Sequence, residues 1–137
     1  MRILGIDYGT KRIGIAVSDE LGFTAQGLTT ILRKNRMHDL GQIGELVNNY
    51  GVEKIVVGYP IRLDGTEGIA CEKVNRFIDR LETHFNIPVV RWDETLTTKT
   101  AEEILLSANI RREKRKKIID KLAATLILQN YLDRNNR

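Results

Sequence analysis

The apolar positions of this chain fall into short β-like runs first and helical spacings later. From Arg2 to Tyr8 it reads RILGIDY, apolar and β-branched, and Gly9-Thr10-Lys11 supplies a turn, so a strand ends at Asp7. Arg12 to Ser18, RIGIAVS, repeats the β character, and Phe23 to Leu32 is a third, less regular candidate. Three consecutive strands joined by tight turns predict an antiparallel meander. The period then changes. Leu40, Ile43, Leu46, Val47 and Tyr50 recur at spacings of three and four, with Gly51 placed to cap a helix C-terminus. Lys54 to Gly58, KIVVG, is too short for a helix and reads as a buried strand halted by Tyr59-Pro60, parallel to the first.

Beyond the polar loop Asp64-Gly65-Thr66-Glu67-Gly68, residues Ile69, Val74, Phe77, Ile78, Leu81 and Phe85 keep helical spacing up to Asn86. Pro88 to Trp92, PVVRW, is another β run that leads straight into Asp93-Glu94. Thr97 or Thr98 is suited to cap a helix through Ile104, Leu105 and Ala108, and a last helix runs from the basic cluster to Leu132. No repeat, low-complexity tract or long linker interrupts the chain. The pattern predicts one α/β domain over residues 1–137: three antiparallel strands, then strand–helix alternation with right-handed parallel crossovers.

Length and composition narrow the function classes. At 137 residues, 42% hydrophobic and 29% charged, the chain supports a single core. The Asp7-Tyr8-Gly9-Thr10 turn is similar to the phosphate loop of actin- and Hsp70-like ATPases, but a second lobe to enclose a nucleotide does not fit this length. No apolar run approaches the roughly 18 residues of a membrane span, and no signal-peptide pattern opens the chain. The expectation is a cytoplasmic protein without membrane partners. The lone Cys71 with His38 and His84 cannot furnish the usual four Cys/His ligands of structural zinc, so any metal here is held by oxygen.

Among the acids, Asp7 closes the first strand, Asp93 and Glu94 follow the last, and Asp120 lies in the final helix. Asp7 and the Asp93-Glu94 pair each have ordinary structural readings, as turn acceptors or as charges favouring a helix N-terminus. Asp120 shares a helix face with Ala123, Ala124, Ile127, Leu128 and Tyr131, so its carboxylate needs a compensating cation, with Lys116, Lys117 and Lys121 the nearby candidates. The expected topology sends the first and last strands to the same carboxyl edge, where open α/β sheets bind ligands. Carboxylates gathered there call for a divalent cation with oxygen ligands, Mg²⁺ or Mn²⁺. Strand parity leaves the choice between Asp93 and Glu94 open.

The segments GIDYGTKRIGIAVSD (Gly5–Asp19), DGTEG (Asp64–Gly68), DETLTT (Asp93–Thr98) and DKLAATLILQNYL (Asp120–Leu132) resemble the YqgF family, Holliday-junction-resolvase-like pre-16S rRNA nucleases. The resemblance spans essentially the whole chain. It implies an RNase H-like fold: a mixed five-stranded sheet, three antiparallel strands then two parallel ones, with helices on both faces. It also implies metal-dependent cleavage of structured nucleic acid, chiefly at the 5′ end of pre-16S rRNA, alone or within a pre-ribosomal particle. Carried over residue by residue, the catalytic and metal-binding acids fall on Asp7, Glu94 and Asp120. Thr95 departs from the pattern, because the family commonly has an Arg there that would clamp a phosphate or pair with an acid.

Arg111 to Lys117, RREKRKK, carries six basic residues and one acid, a local net of +5 against +4 for the whole chain. The remainder is thus close to neutral, and this segment is where sequence places the cationic surface. Arg111, Arg112, Lys114, Arg115, Lys116 and Lys117 are the candidate phosphate contacts, with Lys11 and Arg12 of the first turn beside them. Alternative readings are a non-catalytic RNA-binding assembly or transcription factor, and a resolvase of branched DNA. The oligomeric expectation is a monomer or weak homodimer, since a symmetric junction suits two copies whereas one RNA end does not require them.

Overall fold

The structure, a computed structural model, describes residues 1–60, 67–93, 103–104 and 112–135, with the backbone alone for residues 112–117. Strands β1 (Arg2–Tyr8), β2 (Arg12–Ser18) and β3 (Ala25–Leu32) form the antiparallel meander, and helix α1 (Arg36–Tyr50) follows. Strand β4 (Val52–Tyr59), helix α2 (Ile69–Phe85), strand β5 (Val89–Asp93) and helix α3 (Arg112–Asn135) complete the described elements. The sheet order is β3-β2-β1-β4-β5, with β4 parallel to β1 and β5 parallel to β4. This is the expected mixed five-stranded sheet with β1 at its centre.

Local chemistry fixes the helix ends. Asn35 caps α1 by accepting from the His38 amide at 2.9 Å, and Gly51 closes it at φ 59°, a left-handed conformation that suits glycine. Asn86 closes α2 in the same region at φ 53°. The helix expected to begin at Thr97 or Thr98 lies largely outside the described residues, of which Glu103 and Ile104 are helical.

Alternation along β1 sorts its side chains between two layers. Leu4 and Ile6 join Ile13, Ile15, Ile55, Val57, Ile43, Phe77, Ile78 and Leu81 in the larger core, beneath α1 and α2. Ile3 joins Ala16, Val56, Ala124, Ile127, Leu128, Tyr131 and Leu132 beneath α3. Ile127 and Leu128 are fully buried, each contributing about 1.5–3 kcal/mol of apolar transfer free energy.

The α3 face of the sheet is built from small residues. A Cβ at Gly5 would lie 2.7 Å from Leu128 Cβ, and one at Gly27 would lie 3.0 Å from Lys121 Cγ. At Gly14 a Cβ would overlap the backbone carbonyl of Asp120. Three strands therefore leave a trough into which α3 sinks, and the depth of that trough sets where Asp120 stands.

Candidate functional site

Asp7 is the penultimate residue of the central strand and is 8% exposed. It shares the face of Ile3 and Gly5, so its side chain belongs to the α3 layer. Its antiparallel register partner is Gly14, the residue against which the Asp120 backbone rests. One glycine thus joins the two acids: Asp7 lies beside it in the sheet and Asp120 lies above it on the helix.

The counter-charge for Asp120 comes from β2. Arg12 donates from Nε to Asp120 Oδ2 at 2.8 Å, across 108 residues of chain, with the two side chains 34% and 17% exposed. Lys121, one of the expected compensating cations, instead runs beside Gly27 of β3. The Arg12 guanidinium is fixed on a carboxylate, while Lys11, its neighbour, lines a cavity on the other face of the sheet.

The intervening turn is held from outside. Gly9 donates its amide to Arg12 O at 2.9 Å, and the Arg33 amide donates to Lys11 O at 2.9 Å. Arg33 Nη1 donates to the carbonyls of Gly9 and Thr10 at 2.8 and 3.0 Å, and its guanidinium lies 4.4 Å from the centre of the Tyr8 ring. Tyr8 stacks on Phe77 with centroids 4.0 Å apart. Arg33 is a positioning residue that the strand-and-acid pattern does not reveal; the basic run Arg33-Lys34-Asn35-Arg36 is the sequence signal that marks it.

Donor chemistry decides what this edge can hold. Asp7 and Asp120 offer carboxylate oxygens only, and no histidine or cysteine accompanies them. Such donors suit Mg²⁺ or Mn²⁺ rather than zinc or copper. Among the described residues no three Asp, Glu, His or Cys side chains gather into a metal-sized cluster. The third expected acid, Glu94, lies outside the described residues, as do Thr95 and Arg111. Asp93 ends β5 and is exposed. Arg112, Lys114, Arg115, Lys116 and Lys117 form the first turns of α3, leading directly into Asp120.

The cysteine, the two histidines and the tryptophan stand apart from the acids. Cys71 is buried in α2 and donates to Pro60 O at 3.4 Å, His84 is exposed, and His38 contacts Asp39 at 3.0 Å. Trp92 packs edge-on against Tyr131 at 5.4 Å. No described helix is long and apolar enough to cross a membrane.

Known proteins share both sequence and architecture with this chain. A protein of Syntrophus aciditrophicus named "Putative pre-16S rRNA nuclease" is 65% identical over 133 residues, covering 97% of this chain and 89% of the relative. A Bacillus subtilis protein of the same name is 51% identical over 138 residues, covering 99% and 100%. Two solved structures share the fold. Fowlpox virus resolvase with Holliday junction DNA superposes at TM-score 0.60 and 14% identity, covering 100% of both chains. Thermus thermophilus RuvC with a Holliday junction gives 0.54 and 17%, covering 99% of this chain and 96% of that one. The sheet is therefore RNase H-like, and the model of the family RuvX, Holliday junction resolvase, matches residues 1–134. With sequence and fold in agreement over almost its full length, the chain belongs to the RuvX family.

Proposed function

We infer that this protein is a nuclease that hydrolyses phosphodiester bonds of structured nucleic acid, with the 5′ end of pre-16S rRNA as its leading substrate. The observation that carries the reading is the placement of two acids around Gly14 at the carboxyl edge of the central strand: buried Asp7 is its partner in the sheet, and the Asp120 backbone of α3 rests against it. The names of relatives 51–65% identical over nearly the whole chain favour the RNA substrate. The family description favours a second substrate, branched DNA.

Asp7, Glu94 and Asp120 are the residues that would hold Mg²⁺ or Mn²⁺. Such ions, when bound, lower the pKa of a coordinated water and neutralise charge developing on the phosphate. The protein's own part is to hold the acids and steer the backbone. The strand end fixes Asp7, the glycine trough fixes the height of Asp120, and Arg12 orients the Asp120 carboxylate through Oδ2. The basic first turns of α3 stand immediately before Asp120, suited to contact phosphates flanking the scissile bond. Work on RNA precursors fits a cytoplasmic protein, monomeric or weakly dimeric, since a single RNA end needs no symmetric pair.

The test is cleavage of a pre-16S rRNA fragment and of a four-way DNA junction with Mg²⁺ or Mn²⁺, comparing wild type with Asp7→Asn. Loss of a direct ligand should exceed the roughly 10–100-fold typical of residues one shell further out. Full cleavage by a folded Asp7→Asn protein overturns the site. Binding without cleavage by wild type, unaffected by chelation, shows a non-catalytic binder instead.

A further inference from the structure

The α1/α2 side of the same sheet edge carries a second cationic surface. Two adjoining cavities of about 590 and 620 Å³ share Tyr8, Thr10, Arg33, Arg36 and Arg80 in their walls and form one open groove. Lys11 and Lys34 extend it at one end, and Lys73 and Arg76 at the other. Asp39 is the one carboxylate lining either cavity among the described residues, and it is engaged locally. It accepts from the Lys34 amide at 3.1 Å and lies 3.9 Å from Arg33 Nε.

Lys73, Arg76 and Arg80 stand at i, i+3 and i+7 on α2, a like-charged row along one helix face. Such spacing is mildly unfavourable in an isolated helix. Among the described residues no carboxylate pairs with any of these three, nor with Lys11 or Arg36. Arg33 is committed to the Tyr8 ring and the turn carbonyls, so it shapes the groove and leaves the outer cations for a ligand.

The groove also has a fixed relation to the acids. Tyr8 follows Asp7 directly in β1, so the two side chains emerge on opposite faces of one strand end, and only the Gly9-Thr10 turn separates groove from acid site. A chain of phosphates crossing the sheet edge would meet Asp7 on one side and this row of cations on the other. The groove spans two adjoining cavities, and its cations are spread over three segments. That geometry suits a repeating polyanion better than one small phosphate.

We propose that the groove bounded by Lys11, Arg36, Lys73, Arg76 and Arg80 holds the sugar–phosphate backbone of the substrate nucleic acid on the far side of the sheet from α3. This rests on the nuclease reading and adds to it a strand path separate from the basic turns of α3. The contacts are electrostatic and independent of base sequence.

The experiment measures binding of the full chain by fluorescence anisotropy in EDTA, so that cleavage plays no part. The probes are a pre-16S rRNA fragment and a four-way DNA junction. Lys73→Gln/Arg76→Gln/Arg80→Gln is compared with wild type across a salt series, with circular dichroism melts to verify folding. Each lost phosphate contact lowers the slope of log affinity against log salt by about 0.9 on a duplex and about 0.7 on a single strand. The triple variant should therefore bind at least tenfold more weakly at low salt, with a slope reduced by about 2. Arg36→Gln, on a different element, should reduce affinity in the same direction, and Lys73→Arg should preserve it. A loss on either probe supports the groove and identifies the nucleic acid it holds. Unchanged affinity and slope on both, in folded variants, overturn it. Metal-dependent cleavage is assayed separately: a wild type that binds through the groove but never cuts overturns the nuclease reading and leaves the groove standing, whereas cleavage with unaltered variant binding does the reverse.

Discussion

Substituting Gly14 tests the link between fold and site directly. In Gly14→Ala the new Cβ would lie 2.9 Å from the Lys121 amide nitrogen, and closer still to the Asp120 carbonyl. Gly14 is not among the residues with positive φ, so alanine suffers no backbone penalty there and the cost is purely steric. The opposing atoms are helix backbone and cannot rotate away. Restoring ordinary separation of roughly 3.5 Å from that carbonyl requires α3 to retreat by roughly 1.5 Å. Overpacking of this kind costs ~1–3 kcal/mol. At about 4 °C per kcal/mol for a domain of this size, the melting temperature should fall by ~4–12 °C. Because the displaced residue is Asp120, metal-supported cleavage below the melting temperature should drop by about 100-fold, the order expected for a 1 Å misplacement. The control is Gly41→Ala in α1, where an added Cβ meets nothing within 4 Å. That variant should gain about 0.5–1 kcal/mol from helix propensity and cleave normally. A Gly14→Ala protein that melts and cleaves like wild type would refute the claim that close approach at this glycine places Asp120.

Two further predictions concern charges. A double-mutant cycle on Arg12→Ala and Asp120→Ala should give a coupling of about 0.5–1 kcal/mol in chemical denaturation at low salt, because Arg12 is a third exposed, and the coupling should shrink as salt is added; a coupling of zero at low salt would refute a stabilising role for the 2.8 Å pair. Asp19 accepts from the Thr24 and Phe23 amides at 3.0 and 2.7 Å, and these bonds, Thr24's foremost, hold its carboxyl below the usual 3.8. Its contribution is present above pH 3.8 and is lost as pH falls through the lowered value, so the melting-temperature gap between wild type and Asp19→Asn should close on acidification from pH 6 to pH 2.5. A gap that stays constant over that range contradicts the assignment.

Periodicity, caps and turn residues act within a few positions of one another, and so they were legible. The apolar alternation of RILGIDY and RIGIAVS, the three-four spacing up to Tyr50 with Gly51 behind it, and the run KIVVG all specify their elements through local sterics and burial. Asp7 at a strand end and Asp120 on an otherwise apolar helix face were visible for the same reason. Each breaks a local pattern.

Pairings set by layer stacking were not legible. The ion pair between Arg12 and Asp120 spans 108 residues, and nothing near Asp120 in the chain distinguishes Arg12 from the lysines beside it. Gly5, Gly14 and Gly27 are far apart in the chain, and only the pairing of three adjacent strands places them under one helix. Charge tells the same story. Outside Arg111–Lys117 the acids and bases of the sequence nearly cancel, yet cancellation along a chain says nothing about separation in space. The sequence by itself determined the strands and the helices, and it marked Asp7 and Asp120 as carboxylates that interrupt apolar patterns. Only the tertiary structure decided which arginine serves Asp120, how deep α3 sits, and that Lys11, Arg36, Lys73, Arg76 and Arg80 line one groove, because stacking across a sheet brings together residues whose sequence neighbourhoods carry no trace of one another.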